Sequence, residues 1–186
     1  MKRICYFVFL AFMTANVWAE DVKIASPDGK VNVTVTDQGG IPTYMITYDG
    51  RVMLKPSRLG LKASIGDFTA GITIKGQKQN RIDQNYEMTR IKTSQVHYVA
   101  TEAVIAMQNA QGWPLTVTFR VSNHDVAFRY TLHRGPNDTP RCALVYSEAS
   151  AFNFPQHPTT FICPQSKPMD GWERTKPSYE EEYKAD

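Results

Sequence analysis

The stretch that decides the fold is LTVTFRVSNHDVAFRYTL, residues 115–132. Its apolar residues occupy every second position of two arms, which the polar turn 122–125 separates. They are Leu115, Val117, Phe119 and Val121 on the first arm, and Val126, Phe128, Tyr130 and Leu132 on the second. A period of two predicts β-strands, because successive side chains of a strand point to opposite faces. The stretch therefore predicts an antiparallel β-hairpin with one buried face and one wetter face.

Similar short strands are predicted along the rest of the chain. Turn signals separate them, and Asp49-Gly50 is the strongest hairpin signal among these. The predicted strands cover 22–25, 31–35, 44–48, 52–54, 59–63, 86–92, 96–107, 143–146, 151–154 and 159–163. By contrast, 66–85 is polar and interrupted by glycines, so we expect a bulged edge or a surface excursion there and no long strand. No helical periodicity is present, and the predicted class is all-β, an antiparallel sandwich or barrel.

The first nineteen residues form a separate predicted unit. Lys2 and Arg3 precede an apolar run of about ten residues, and Val17-Trp18-Ala19 places small residues where a signal peptidase cuts. We predict a signal peptide at 1–19, cleavage before Glu20, and export to the periplasm. Since a spanning helix needs roughly twenty apolar residues, no membrane span is expected in the mature chain.

The charge of the mature chain argues against one class of partner. Lys2 and Arg3 are the only charged residues before Glu20, so cleavage lowers the net charge from +3 to +1. No run of Lys and Arg remains, and a nucleic acid is therefore not a predicted partner. A hydrophobic content of 42% is enough for a real core.

Two cysteines remain after cleavage, Cys142 and Cys163. An exported protein can form a disulfide. If the surrounding segments form a hairpin that turns at 154–157, Cys163 faces a residue near Glu148, which makes direct pairing with Cys142 awkward. Two buried free thiols are the preferred interpretation, and the disulfide stays an open alternative.

The character of the sequence changes at Pro164. We predict the sandwich over 20–163 and an extended loop segment over 164–186, which leads toward a remainder that is missing. The segment combines Trp172 with the acidic and aromatic stretch Tyr179-Glu180-Glu181-Glu182-Tyr183. Carboxylates and aromatic rings together fit a hard-cation site or a sugar site, and they also fit a solvated acidic loop. The four histidines are scattered, and a zinc site is not expected.

Six motifs in their order resemble the N-terminal part of glycoside hydrolase family 97. They are 26–29 (SPDG), 44–50 (YMITYDG), 56–61 (PSRLGL), 126–130 (VAFRY), 152–155 (FNFP), and Trp172 followed by 178–180 (SYE). The resemblance implies a galactose-mutarotase-like supersandwich, incomplete at its C-terminus, that belongs to a calcium-dependent exo-acting α-glucosidase or α-galactosidase. The catalytic residues of that family lie on a (β/α)₈ barrel, so no catalytic residue is assigned here.

The resemblance also implies particular sites and partners. One carboxylate of the N-terminal domain would reach the calcium ion, with Glu180 as the first choice and Glu182 as the second. Trp172 and Tyr179 would contact substrate, an α-linked oligosaccharide, and the barrel of the same parent chain would be the protein partner. The alternatives are an autonomous carbohydrate-binding module that stacks sugars on Trp113, Trp172 and tyrosines, and a structural exported β-sandwich.

Overall fold

A computed structural model describes residues 21–90, 94–133, 142–156, 158 and 159. Eleven strands are present in these ranges. They are β1 Val22–Ala25, β2 Val31–Thr36, β3 Thr43–Tyr48, β4 Arg51–Arg58, β5 Leu61–Ala63, β6 Gly66–Asp67, β7 Thr73–Glu87, β8 Gln95–Gln108, β9 Pro114–Ser122, β10 Val126–Leu132 and β11 Val145–Glu148. The only helical element among the described residues is one 3₁₀ turn at Gln38–Gly40. The predicted all-β class is confirmed.

The strands form three antiparallel sheets. The first has the order β1-β2-β3-β4, the second β10-β9-β8-β7, and the third β11-β5-β6. Neighbouring strands are mostly consecutive in sequence, as in a meander. At the Asp49-Gly50 turn, both residues have positive φ, 48° and 79°, as a type I′ hairpin turn requires.

The predicted central hairpin is β9 and β10. Val126 pairs with Val121 and Leu132 with Leu115, so the apolar residues of the two arms lie on one face. That face packs against residues of the first sheet in a single apolar core, which makes the two large sheets a sandwich. Val33, Val35 and Phe119 are inaccessible to solvent in this core.

The polar stretch 66–85 differs from its prediction. Most of it belongs to β7, the longest strand, which pairs with β8 over the whole length of the hairpin. A register shift between Ile74 and Gly76 provides the expected bulge, but the expectation that no long strand forms is wrong. The reason is that β7 is an edge strand with nearly every side chain exposed, so its sequence carries no alternation.

Several other expectations need correction. The strand predicted over 86–92 ends at Glu87, and 151–154 contributes a single bridge, from Asn153 to Lys55. Cys142 is exposed, so the prediction of a buried thiol at this position is wrong. The signal segment 1–19, Cys163 and residues 160–163 of the strand predicted over 159–163 lie outside the described residues.

All eleven strands belong to the first of two compact units, which ends at Phe154. The second unit begins at Pro155, and few of its residues are described. Across the parts of the chain that the structure describes, no helix is long and apolar enough to cross a membrane.

Candidate functional site

The four site residues predicted from the sequence are Trp172, Tyr179, Glu180 and Glu182. All four lie outside the described residues, so their assignment to calcium and substrate stays a prediction. The possible contributions of the sandwich itself come from its clefts, its charged pairs and its aromatic residues.

A polar cleft lies where the turn after β2 meets the start of β7. Its volume is about 700 Å³, and its lining includes Asp21, Asp37 and the backbone of Gly40 and Gly71. Asp37 is buried, and its Oδ2 accepts a hydrogen bond of 2.6 Å from the backbone N–H of Ile74. Its Oδ1 is buried and has no hydrogen-bond partner among the described residues. The second carboxylate oxygen can therefore accept a hydrogen bond, for instance from an ordered water.

The charged pairs of the sandwich are isolated and lie at the surface. His97 Nε2 is 2.7 Å from Asp83 Oδ1 on the β7–β8 hairpin, and hydrogen bonding to His97 lowers the pKa of that carboxyl. Arg120 Nε donates to Glu102 Oε2 across β9 and β8 at 2.8 Å. Within the described ranges, no three His, Cys, Asp or Glu side chains come together as a metal site. These pairs do not amount to catalytic machinery for glycoside cleavage, which requires two carboxyl groups on either side of a sugar.

The alternative of an autonomous binding module names two tryptophans as stacking residues, and of these Trp113 lies inside the described ranges. It is half-buried and packs against the hydrophobic core. Its backbone N–H donates to Asn109 Oδ1 at 2.8 Å, which fixes the turn before β9. Trp113 therefore has a packing role, and its position does not favour the autonomous binding module.

Two tyrosines connect the core to the segment that follows β11. The Tyr44 hydroxyl donates to the carbonyl of Ala151 at 3.0 Å. The Tyr130 hydroxyl oxygen accepts from the Gly60 N–H at 2.8 Å and lies 2.6 Å from Ser150 Oγ. Burial raises the pKa of both phenols, that of Tyr44 to about 12. Both groups are therefore neutral at physiological pH and act as hydrogen-bonding anchors.

The most exposed aromatic side chains in the described ranges are Tyr146 and Phe152. Sequence reasoning missed them as a surface feature, because apolar residues in a predicted strand are expected to be buried. The signal that could have found them is the concentration of apolar residues at 143–146 and 151–154.

Comparison with known proteins places this sandwich in a family. The model of the family described as Glycosyl-hydrolase 97 N-terminal matches residues 24–186. The crystal structure of a beta-arabinopyranosidase is 48% identical with a TM-score of 0.81, over 90% of this chain and 26% of that chain. A glycoside hydrolase family 97 enzyme from Pseudoalteromonas sp. strain K8, solved with acarbose, is 19% identical over 73% of this chain and 20% of that chain. Its TM-score of 0.66 shows a shared fold.

Two curated relatives are named as α-galactosidases. The probable retaining alpha-galactosidase of Streptomyces bingchenggensis is 26% identical over 74% of this chain, and the retaining alpha-galactosidase of Bacteroides thetaiotaomicron is 25% identical over 87%. This chain spans 20% and 23% of the length of these two relatives. The resemblance predicted from the six motifs is confirmed.

Proposed function

The chain belongs to the N-terminal domain family of glycosyl hydrolase family 97, and we propose that it is the N-terminal β-sandwich module of an exported, calcium-dependent exo-α-glycosidase. The observation that carries this proposal is the family match over residues 24–186. It is supported by the likeness to a glycosidase of which this chain covers only 26%. The module supports an active site on a (β/α)₈ barrel and has no hydrolase activity alone.

The proposed substrate has the galactose configuration. Both curated relatives are named as α-galactosidases, and the 48% identical structure is a beta-arabinopyranosidase. A β-L-arabinopyranoside has the ring configuration of an α-D-galactopyranoside and lacks only the exocyclic hydroxymethyl group. An α-galactoside is therefore favoured over an α-glucoside, which differs in the configuration of one ring hydroxyl.

Calcium is the proposed metal, with Glu180 as its first candidate ligand in this module and Glu182 as the second. Calcium binds oxygen ligands, including carboxylates, carbonyl groups and waters, and the ion needs about six to eight of them. One glutamate cannot complete that shell, so the other ligands would come from the barrel. The ion would orient the substrate and hold module and barrel in register.

The first experiment measures the mass of the native protein in the periplasm of its source, with an antibody against this chain. A species of roughly 70 kDa is expected if a barrel follows, from the 26% of the arabinopyranosidase that this chain covers. A periplasmic species of about 19 kDa, this chain without its signal peptide, would contradict the module hypothesis. Recovery from the cytoplasm alone would contradict export.

The second experiment tests substrate and metal on the immunopurified enzyme. We expect hydrolysis of 4-nitrophenyl α-D-galactopyranoside, loss of activity with a calcium chelator, and recovery with added calcium. Glu180→Gln should raise the calcium concentration needed for recovery by at least about tenfold, because a ligand oxygen becomes a neutral amide. Glu181→Gln is the matched control. Equal calcium requirements of the Glu180, Glu181 and Glu182 variants would remove the ligand assignment.

A further inference from the structure

Asp37 carries a buried carboxylate oxygen that the described part of the chain does not satisfy. The residue is 6% exposed, and its Oδ1 has no hydrogen-bond partner among the described residues. Its Oδ2 is already engaged by the backbone N–H of Ile74 at 2.6 Å. A buried acceptor without a partner costs free energy, so nearly all such groups in folded proteins are paired. Oδ1 therefore requires a donor.

The cleft beside Asp37 favours a positively charged donor. Its described lining has two carboxylates, those of Asp21 and Asp37, and no Lys, Arg or His side chain. Burial of a carboxylate is unfavourable unless it is paired, and hydrogen bonds between ionised groups are the strong ones. The donor that fits Oδ1 best is therefore a cationic N–H group.

The pairing of β1 with β2 indicates which part of the chain approaches Asp37. Val22 lies opposite Val35, and the four pairs of these strands keep one antiparallel register without a shift. Continued by two residues, this register would place Glu20, which lies outside the described residues, opposite Asp37. The Cα atoms of opposite residues are only about 4.5 to 5.5 Å apart. The chain before Asp21 is therefore directed toward the unsatisfied carboxylate.

The type of pairing indicates where the nitrogen at position 20 would point. Ser26 N–H donates to the carbonyl of Val31, its opposite residue, at 2.8 Å, so the two form a hydrogen-bonded pair. Such pairs recur at every second position of an antiparallel ladder, which would make Glu20 and Asp37 a pair of the same kind. The Asp37 carbonyl is already engaged by the Gly40 N–H at 2.8 Å. Oδ1 is therefore the acceptor that a nitrogen at position 20 would meet.

We propose that Asp37 forms an ion pair with the α-ammonium group that removal of the signal peptide creates at Glu20. Hydrolysis of the Ala19–Glu20 peptide bond consumes one water and leaves a carboxylate on Ala19 and an ammonium group on Glu20. An α-amine is mostly protonated at neutral pH. In the precursor the same nitrogen is a neutral amide, so the charged contact forms only after cleavage. The inference rests on one part of the proposed function, which is export with cleavage before Glu20.

An insertion variant of the exported protein separates the ammonium group from Asp37. One alanine inserted between Ala19 and Glu20 moves the new N-terminus by about 3.3 to 3.6 Å along the strand. We expect cleavage to stay after Ala19, because a cut after the inserted alanine would place the bulky Trp18 at the −3 position. Mass spectrometry of the N-terminal peptide verifies the cleavage site in both proteins.

The reactivity of the N-terminal amine is the first measurement. At about pH 7 we expect acetic anhydride to acylate it at least about tenfold more slowly in the natural exported protein than in the insertion variant, because only the neutral amine reacts and a nearby carboxylate favours the protonated form. Asp37→Asn should abolish this difference, since the amide keeps an oxygen for the Ile74 N–H and turns an NH₂ group toward the amine. Asp21→Asn, at an exposed carboxylate of the same cleft, is the matched control and should change the rate by no more than about twofold.

The melting temperature gives an independent measurement. The inserted alanine should lower the melting temperature of the natural exported protein by about 2 °C or more. Combined with Asp37→Asn, the same insertion should lower it by less than about 1 °C, because no carboxylate remains for the ammonium group to lose. Equal shifts in the two backgrounds would count against the ion pair, even if Asp37→Asn is itself destabilising.

The other outcomes separate this inference from the proposed function. Equally fast acylation of the natural, insertion and Asp37→Asn proteins would overturn the inference and leave the proposed function intact. A natural protein that keeps residues 1–19 would overturn the inference together with export. Stabilisation by added calcium that Asp37→Asn abolishes, with equal acylation rates, would identify a metal ion as the partner of Asp37 and would also overturn it. Slow acylation in a protein without galactosidase activity would support the inference and contradict the proposed substrate.

Discussion

Gly60 lies between β4 and β5, and its backbone has a φ of +117°. A Cβ at this position would overlap the carbonyl oxygen of Phe68. We expect Gly60→Ala to lower the free energy of unfolding by about 3 kcal/mol, because it combines an unfavourable φ with a clash against backbone. Gly29 is the matched control, since it has a φ of +76° and a Cβ added there would meet no atom within 4 Å.

Gly29→Ala should cost only about 1 kcal/mol, the penalty for the left-handed backbone alone. Urea unfolding of the two variants at equal temperature measures both values. A Gly60→Ala cost no larger than that of Gly29→Ala would mean that the close approach to Phe68 relaxes freely.

Tyr44 makes stability depend on alkaline pH. Burial raises the pKa of its phenol from 10.0 to about 12, so the folded protein holds the proton more tightly than the unfolded chain does. The resulting stabilisation is complete below pH 10 and is lost as pH rises from about 10 toward 12. At most about 2 to 3 kcal/mol is involved. The pKa of Tyr130 is also raised by burial, which adds to the same trend.

The variant Tyr44→Phe removes the titrating group and its hydrogen bond to the Ala151 carbonyl. We expect a loss of about 1 kcal/mol at about pH 8 and a shallower decline between about pH 9 and pH 11 than in the natural chain. Denaturant unfolding at each pH is the measurement. Parallel declines for the two proteins would show that Tyr44 does not control the alkaline transition.

At the scale of elements, β8 divides into two parts. Ala100–Gln108 pairs with both β7 and β9, whereas Gln95–Val99 pairs with β7 alone. A two-stranded ribbon is marginally stable in water. We therefore expect the amides of Gln95–Val99 to exchange at least about tenfold faster than those of Ala100–Gln108. Uniform protection along β8 would contradict this division and would mean that the ribbon is supported from another side.

At the scale of the whole molecule, the exposed apolar side chains of Leu144–Phe154 should make the 186-residue chain self-associate. Exposed edges and apolar patches favour non-specific association. We expect light scattering of the chain to rise with concentration and Leu144→Lys/Tyr146→Lys to suppress the rise, while Met88→Lys leaves it unchanged. A protein that stays monomeric at all concentrations and melts cooperatively would contradict this prediction, because it would show that the exposed apolar side chains do not cause association.

Much of the fold could be predicted from local pattern. The hairpin β9–β10, the strands β1 to β3 and the Asp49-Gly50 turn follow from alternation and turn chemistry. Each of these strands has one face that is more buried than the other, so apolar and polar residues alternate along its sequence. β7 could not be predicted, because a strand that is exposed on both faces at a sheet edge shows no alternation of apolar and polar residues. The four candidate site residues lie outside the described residues, and the sugar-stacking role considered for Trp113 gave way to a packing role in the structure.

The sequence by itself determined the class, the central hairpin and the family resemblance, since these depend on residues close together along the chain. Only the tertiary structure decided that β10 lies beside Leu144–Phe154, and that Phe152 extends the core aromatic cluster to the surface. The physical reason is that burial of a strand depends on which partners lie beside it. Those partners are fixed by contacts between residues such as Tyr130 and Ser150, which are distant in the sequence.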